Sequence, residues 1–309
     1  LQQFMYINRA LNKEYISHKV DGNISVDVTT PGLRRYYTDI KKELLNQPLV
    51  LCSSLTKIIN IWNNIKDYPT VKLLLKCNEN AKLFLSGYLF RYEATEITEK
   101  SISEICECLL KLFTVLELSD AGYSSSKFKT FLFSENIKFV DKNIPIDTIK
   151  NNFNEHIKKN WNPSVIYDAI IGYEKNLLVF LNEYIYAKNK GSSFDFSENV
   201  NVEHIMPASG RNLTTIQQDA KFETKEEFAN TVNKLGNKIL LEEDINKSIG
   251  NEWFKTKKQK SINSKSGYKD SKYGIALALT TYVSDSWGKD DIDTATQKAA
   301  TRIVNFIFS

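Results

Sequence analysis

Proline and glycine are scarce in this 309-residue sequence, at six and twelve residues. A turn-rich β-architecture needs many of both, so the shortage favours long helices. Histidine is scarcer, so any imidazole chemistry falls to one of three residues, His18, His156 or His204. The four cysteines, Cys52, Cys77, Cys106 and Cys108, form no CxxC pair and none lies near His204. That argues against a zinc knuckle and for buried free thiols in a reducing compartment. No apolar run reaches the roughly 18 residues of a membrane span. With no secretion signal visible, the expectation is a cytoplasmic protein. A nucleotide-cradling loop of the GxxxxGK type is also missing. The chain opens on Leu1 instead of methionine, which reads as a piece of something longer.

What is present fits a globular protein: 42% hydrophobic and 25% charged residues. The net charge of +4 is mild. It allows a polyanionic partner without demanding one, because local clustering matters more than the total.

Residues 1–30 are ambiguous, apart from a hairpin signal at Asp21-Gly22. Leu55, Ile58, Ile59, Trp62 and Ile65 then share one helical face, which Asp67-Tyr68-Pro69 interrupts. Residues 73–91 continue in the same manner. A capping box at Ser101 and Glu104 opens an apolar stripe running from Ile102 to Leu116 and ending near Asp120-Ala121-Gly122. Further helices are predicted over 125–134, 147–159, from Pro163 with Asn162 as N-cap, and over 177–190. The polar stretch Lys188-Asn189-Lys190-Gly191-Ser192-Ser193 marks a domain boundary: a helical domain over 1–190, as scaffold, regulator or DNA-positioning element, and a second over 191–309. In the second, strands at 199–205 and 238–242 flank a helix opened by Thr224 and Glu227, and a long helix runs from Ile245 to Lys260. Helices over 274–283 and 290–308 finish the chain. The fold class is mainly α, a helical array followed by a small strand–strand–helix motif embedded in helices.

Two stretches carry chemistry. In Glu203-His204-Ile205-Met206-Pro207 an acid and an imidazole stand side by side at the end of a short strand. Strand neighbours face opposite ways, so a shared site requires His204 to lie where the chain bends. In the second stretch, Asn237 follows Gly236 directly, and Asn246 opens the next helix. Asparagines at both ends of one short strand need a hydrogen-bonding or metal-binding task if buried. His18 and His156 lack such surroundings, and His156 reads as a solvated helix residue.

Together the pattern Glu203-His204-Ile205-x-Pro207, Gly236-Asn237-x-x-Leu240-Leu241 and Asn246 resembles an HNH nuclease of the ββα-metal type. More narrowly, it is similar to the C-terminal HNH domain of GmrSD-like modification-dependent restriction endonucleases, including phosphorothioate-sensing anti-phage relatives. The resemblance covers roughly residues 200–260. It implies that His204 is the general base and Glu203 a metal ligand. Asn237, grouped with His204 as catalytic, braces the loop that holds it. Asn246 is implied as the second metal ligand, with Asp244 assisting. An asparagine stands where many HNH enzymes have a final histidine, which disfavours zinc. One carboxylate and one amide oxygen suit Mg²⁺, or Mn²⁺, which keeps waters and takes substrate phosphate as a ligand. Lys247, Lys255, Lys257 and Lys258 lie on the long helix, with Lys260, Lys265, Lys269 and Lys272 at or beyond its end. Beside a nuclease motif such a run suits a DNA backbone. The implied partner is double-stranded DNA, modified or not. The family's nucleotide-hydrolysing N-terminal motif is absent here, so that domain is expected elsewhere. The alternative is an inactive nuclease-like scaffold for DNA or a partner protein, and a further one makes the helical array the functional part.

Overall fold

The predicted apolar stripes fall in helices, although residues 73–91 divide between two, Pro69–Cys77 and Ala81–Leu89, and helix ends decide where the site residues fall. The structure is a computed structural model that describes residues 1–18, 24–119, 122, 125–196, 199–258 and 266–309. The Asp21-Gly22 turn, the Asp120-Ala121 helix end, Lys260 and Lys265 lie outside the described residues. The fold is mainly α, with two small two-stranded antiparallel sheets.

Contacts group the chain into two units, Leu1–Trp161 and Asn162–Ser309. In the first, the helix Gln2–Leu11 packs on Ala81–Leu89 and Phe131–Phe139. Its centre is aromatic: the rings of Tyr6 and Phe84 meet edge to face at 5.8 Å. The strands Ile16–His18 and Ile24–Val26 pair beside it. The long apolar stripe forms the helix Glu99–Leu118. Its capping box is one turn earlier than the sequence suggested, with Thr98 Oγ1 accepting from Ser101 N (3.2 Å) and Ser101 Oγ from Thr98 N (2.9 Å). His156 is half-buried and not solvated: it stacks on Phe131 with centroids 3.8 Å apart and rings 6° from parallel. Of the cysteines, Cys106 and Cys108 are buried thiols, Cys77 is intermediate and Cys52 is exposed.

The second unit starts at the helix Pro163–Ile171, capped as predicted by Asn162 Oδ1 accepting from Ser164 N (2.9 Å). The helix Leu177–Lys190 belongs to this unit, packing on the strand Lys238–Glu242 and on helices Gly274–Leu279 and Lys289–Phe308. The polar stretch around residue 190 therefore ends a helix inside the unit, with Gly191 as its left-handed cap (φ +66°), where the sequence suggested a boundary between domains. The strand Val200–His204 runs antiparallel to Lys238–Glu242, with Val200 opposite Glu242 and His204 opposite Lys238. The expected long helix is two pieces. Glu243–Ile249 stops at Gly250, whose φ of +50° suits glycine, and a separate turn spans Phe254–Lys258.

Candidate active site

His204 is the last residue of its strand, and the chain turns away through Ile205, Met206 and Pro207. Its neighbour Glu203 is buried, while His204 is half-buried, as alternation in a strand requires. The turn is fixed by Asn237, which is fully buried. The Asn237 Oδ1 accepts from Met206 N at 2.8 Å, and its Nδ2 donates to Met206 O and Val232 O, both at 2.9 Å. Its backbone carbonyl accepts from Ile205 N at 2.9 Å. The amide is thus fully used in holding the chain directly after the histidine. Asn237 is a positioning residue and touches no reacting atom.

Gly236 sets Asn237 against the C-terminal helix. A Cβ there would stand 2.2 Å from Ile292 O and 2.4 Å from Thr296 N. Its N–H donates to Thr296 Oγ1 at 3.0 Å. No residue with a side chain could make this approach.

Burial lowers the His204 pKa, and the Lys238 and Lys257 charges lower it further, against the Asn233 side chain. The imidazole is therefore neutral at neutral pH, the form a general base needs. Its Nε2 is buried without a hydrogen-bond partner among the described residues.

Glu203 is not open. Its Oε1 accepts from Lys257 Nζ at 2.5 Å and from the Tyr268 hydroxyl at 3.4 Å. Burial raises its pKa, opposed first by the Lys257 charge and also by a hydrogen bond from the His204 backbone. Burial likewise lowers the Lys257 pKa, opposed by Glu203. The two partly cancel each other's desolvation.

Two residues placed on the DNA-facing lysine run are internal. Lys257 is fully buried, and Lys258, 6% exposed, donates to Tyr282 O (3.0 Å), Ser284 O (2.6 Å) and Asp285 Oδ1 (3.1 Å). They lie on the separate turn Phe254–Lys258, which follows the break at Gly250. Lys247 and Lys255 remain on the surface, paired with Glu243 and Asp285.

A divalent ion would need open oxygen donors, and the Glu203 Oε1 position is taken by an ammonium group. A cation at Glu203 would have to share the carboxylate with that ammonium group. Asn246 is half-buried in the helix Glu243–Ile249, which packs on both strands, and Asp244, two residues earlier, is exposed with its Oδ1 accepting from Ile245 N at 2.9 Å. Side chains two apart on a helix point to different sides, so Asp244 and Asn246 do not converge on one ion. Among the described residues no three His, Cys, Asp or Glu side chains form a metal-holding group.

The family model described as GmrSD restriction endonucleases, C-terminal domain, matches residues 152–301. This region is a GmrSD-type C-terminal domain. The GmrSD match takes in the second unit up to residue 301 and therefore both stretches read as chemical. No curated protein and no solved structure matches the chain. No helix among the described residues is long and apolar enough to cross a membrane.

Sequence reasoning missed Lys238 and Asn233 around the histidine strand, and gave Lys257 a surface role on DNA where it is buried. A lysine in a lysine-rich run carries no sign of burial. The one available hint was Trp253-Phe254, an apolar pair just before Lys257 that anchors the turn.

Proposed function

We propose that the GmrSD-type domain is an HNH endonuclease that hydrolyses phosphodiester bonds in DNA, modified or not, as part of an anti-phage restriction protein. The carrying observation is the placement of His204: at a strand end, neutral, and followed by a turn that Asn237 holds with two side-chain hydrogen bonds to Met206. In this reading His204 takes the proton from a water molecule that attacks phosphorus. The P–O3′ bond breaks, leaving 5′-phosphate and 3′-hydroxyl ends. Dependence on Mg²⁺ or Mn²⁺ belongs to the same reading, with Asn246 as the protein donor; the ion would stabilise charge on the phosphate. A nucleotide-hydrolysing partner domain, on this or another chain, completes it.

The test is nicking of supercoiled plasmid by the full chain with Mg²⁺, beside His204→Ala, Asn246→Ala and a chelated control. Loss in both variants and with chelator is expected, and equal nicking by His204→Ala would end the proposal. The lysine seated on Glu203 favours one alternative, a non-catalytic DNA-binding module. Salt-dependent DNA binding without cleavage under any divalent ion would select it.

A further inference from the structure

Lys257 is fully buried, and its ammonium group has three acceptors for three N–H bonds. They are Glu203 Oε1 at 2.5 Å, His204 O at 2.8 Å and Ile205 O at 3.3 Å. Two are consecutive main-chain carbonyls at the point where the strand becomes the turn. The side chain therefore ties down the backbone from which the imidazole projects. Tyr268, also fully buried, points its hydroxyl at the same carboxylate oxygen.

Burying a lysine is costly unless its charge and all its donors are met, as they are here. A chain with many surface lysines gains nothing for DNA binding by hiding one. Its geometry is that of a clamp on the His204 peptide.

We propose that Lys257 is a positioning residue for His204, and that Glu203 is the counter-ion of Lys257 and not a metal ligand. The proposal rests on the reading of His204 as general base. The ammonium group stands where a cation on Oε1 would have to stand and repels a second one. Any divalent ion is then held from the Asn246 side of the site. Glu203 and Tyr268 act through Lys257 to fix the histidine, and neither touches substrate.

The experiment uses the full chain with Lys257→Met, Glu203→Gln and the double variant, whose neutral pair removes both charges together. Three readouts are taken: ¹⁵N resonances of the His204 ring, assigned with His204→Ala; Mn²⁺ binding by electron paramagnetic resonance; and plasmid nicking. Displacing a catalytic group by even an ångström can lower rate about 100-fold, so Lys257→Met is expected to lose nicking on that scale. The His204 resonances move with it, while Mn²⁺ affinity stays unchanged in Glu203→Gln. If a single variant fails to fold, the double variant is read in the same way. A loss of Mn²⁺ affinity of about tenfold or more in Glu203→Gln, or unmoved His204 resonances in a folded Lys257 variant, overturns the proposal. Moved resonances in a protein whose wild type never nicks DNA would instead overturn the nuclease reading and leave the positioning role standing.

Discussion

Met206 and Asn237 hold each other at both ends of a peptide unit: the Met206 N–H donates to the Asn237 amide oxygen at 2.8 Å, and the Met206 carbonyl accepts from its amide nitrogen at 2.9 Å. A side chain that mimics a strand partner in this way cannot be replaced piecemeal. Asn237→Ala would leave buried main-chain groups of Met206 and Val232 unpaired, a loss on the order of 3 kcal/mol. Asn237→Asp keeps the acceptor but sets a carboxylate against two carbonyls. Both variants should show a lower denaturant midpoint, and nicking should fall in the fraction that stays folded. Unchanged stability in Asn237→Ala would contradict the brace.

Gly236→Ala should be worse than its size suggests. The new methyl group meets main-chain atoms of the C-terminal helix at 2.2 and 2.4 Å, which cannot swing aside as a side chain can. A loss at or beyond the upper end of the about 1–3 kcal/mol usual for overpacking is expected. Thr296→Val, which removes the acceptor of the Gly236 N–H, should cost less, about 1–3 kcal/mol. Thermal unfolding of both variants checks the order.

The four lysines read as DNA-binding should separate into two pairs. Lys247→Ala and Lys255→Ala should weaken DNA binding and reduce the slope of log affinity against log salt by roughly one each. Lys258→Ala removes a donor from two carbonyls and a carboxylate. It should lower the unfolding midpoint and leave the salt slope alone. Fluorescence anisotropy of a labelled duplex at several salt concentrations reads all three.

Glu183 supplies a pH-dependence. It is 2% exposed, and burial pushes its pKa up to about 7 from 4.5, against hydrogen bonds from Gly274 N (2.6 Å) and Ile275 N (3.2 Å). Between those values the unfolded chain ionises while the folded protein keeps its proton. Stability from this group is thus greatest at the acid end and declines as pH rises through 7, by about 3 kcal/mol in all. Glu183→Gln cannot ionise, so its stability relative to wild type should rise from pH 5 to pH 8. Denaturant titrations at the two pH values test this, and a fall would refute it.

The strand limits, the helix over 177–190 and the caps at Asn162 and Thr224 were legible because local chemistry sets them: alternation, a hydroxyl or amide at an N-terminus, and proline at the first helical position. The resemblance implied a brace at Asn237, and its side chain hydrogen-bonds both main-chain groups of Met206. The direction of Lys257 was not legible. Lys257 lies beyond the break at Gly250, and a glycine between two helical patterns does not announce whether it interrupts them. The place of residues 177–190 in the second unit was hidden for a related reason. A Gly-Ser stretch after a helix reads alike as a cap or as a linker until its packing partners are seen.

The side chains of Glu203 and His204 lie on opposite faces of one short strand, and of the two side chains only that of Glu203 meets the buried ammonium group. Slip that strand by a single residue against Lys238–Glu242 and the faces exchange: the imidazole would be pressed against Lys257, and the carboxylate would be left outside. Such a mispaired hairpin would hold an uncompensated interior cation. The ion pair thus works as a register lock, disfavouring the nearest wrong alignment of the two strands during folding.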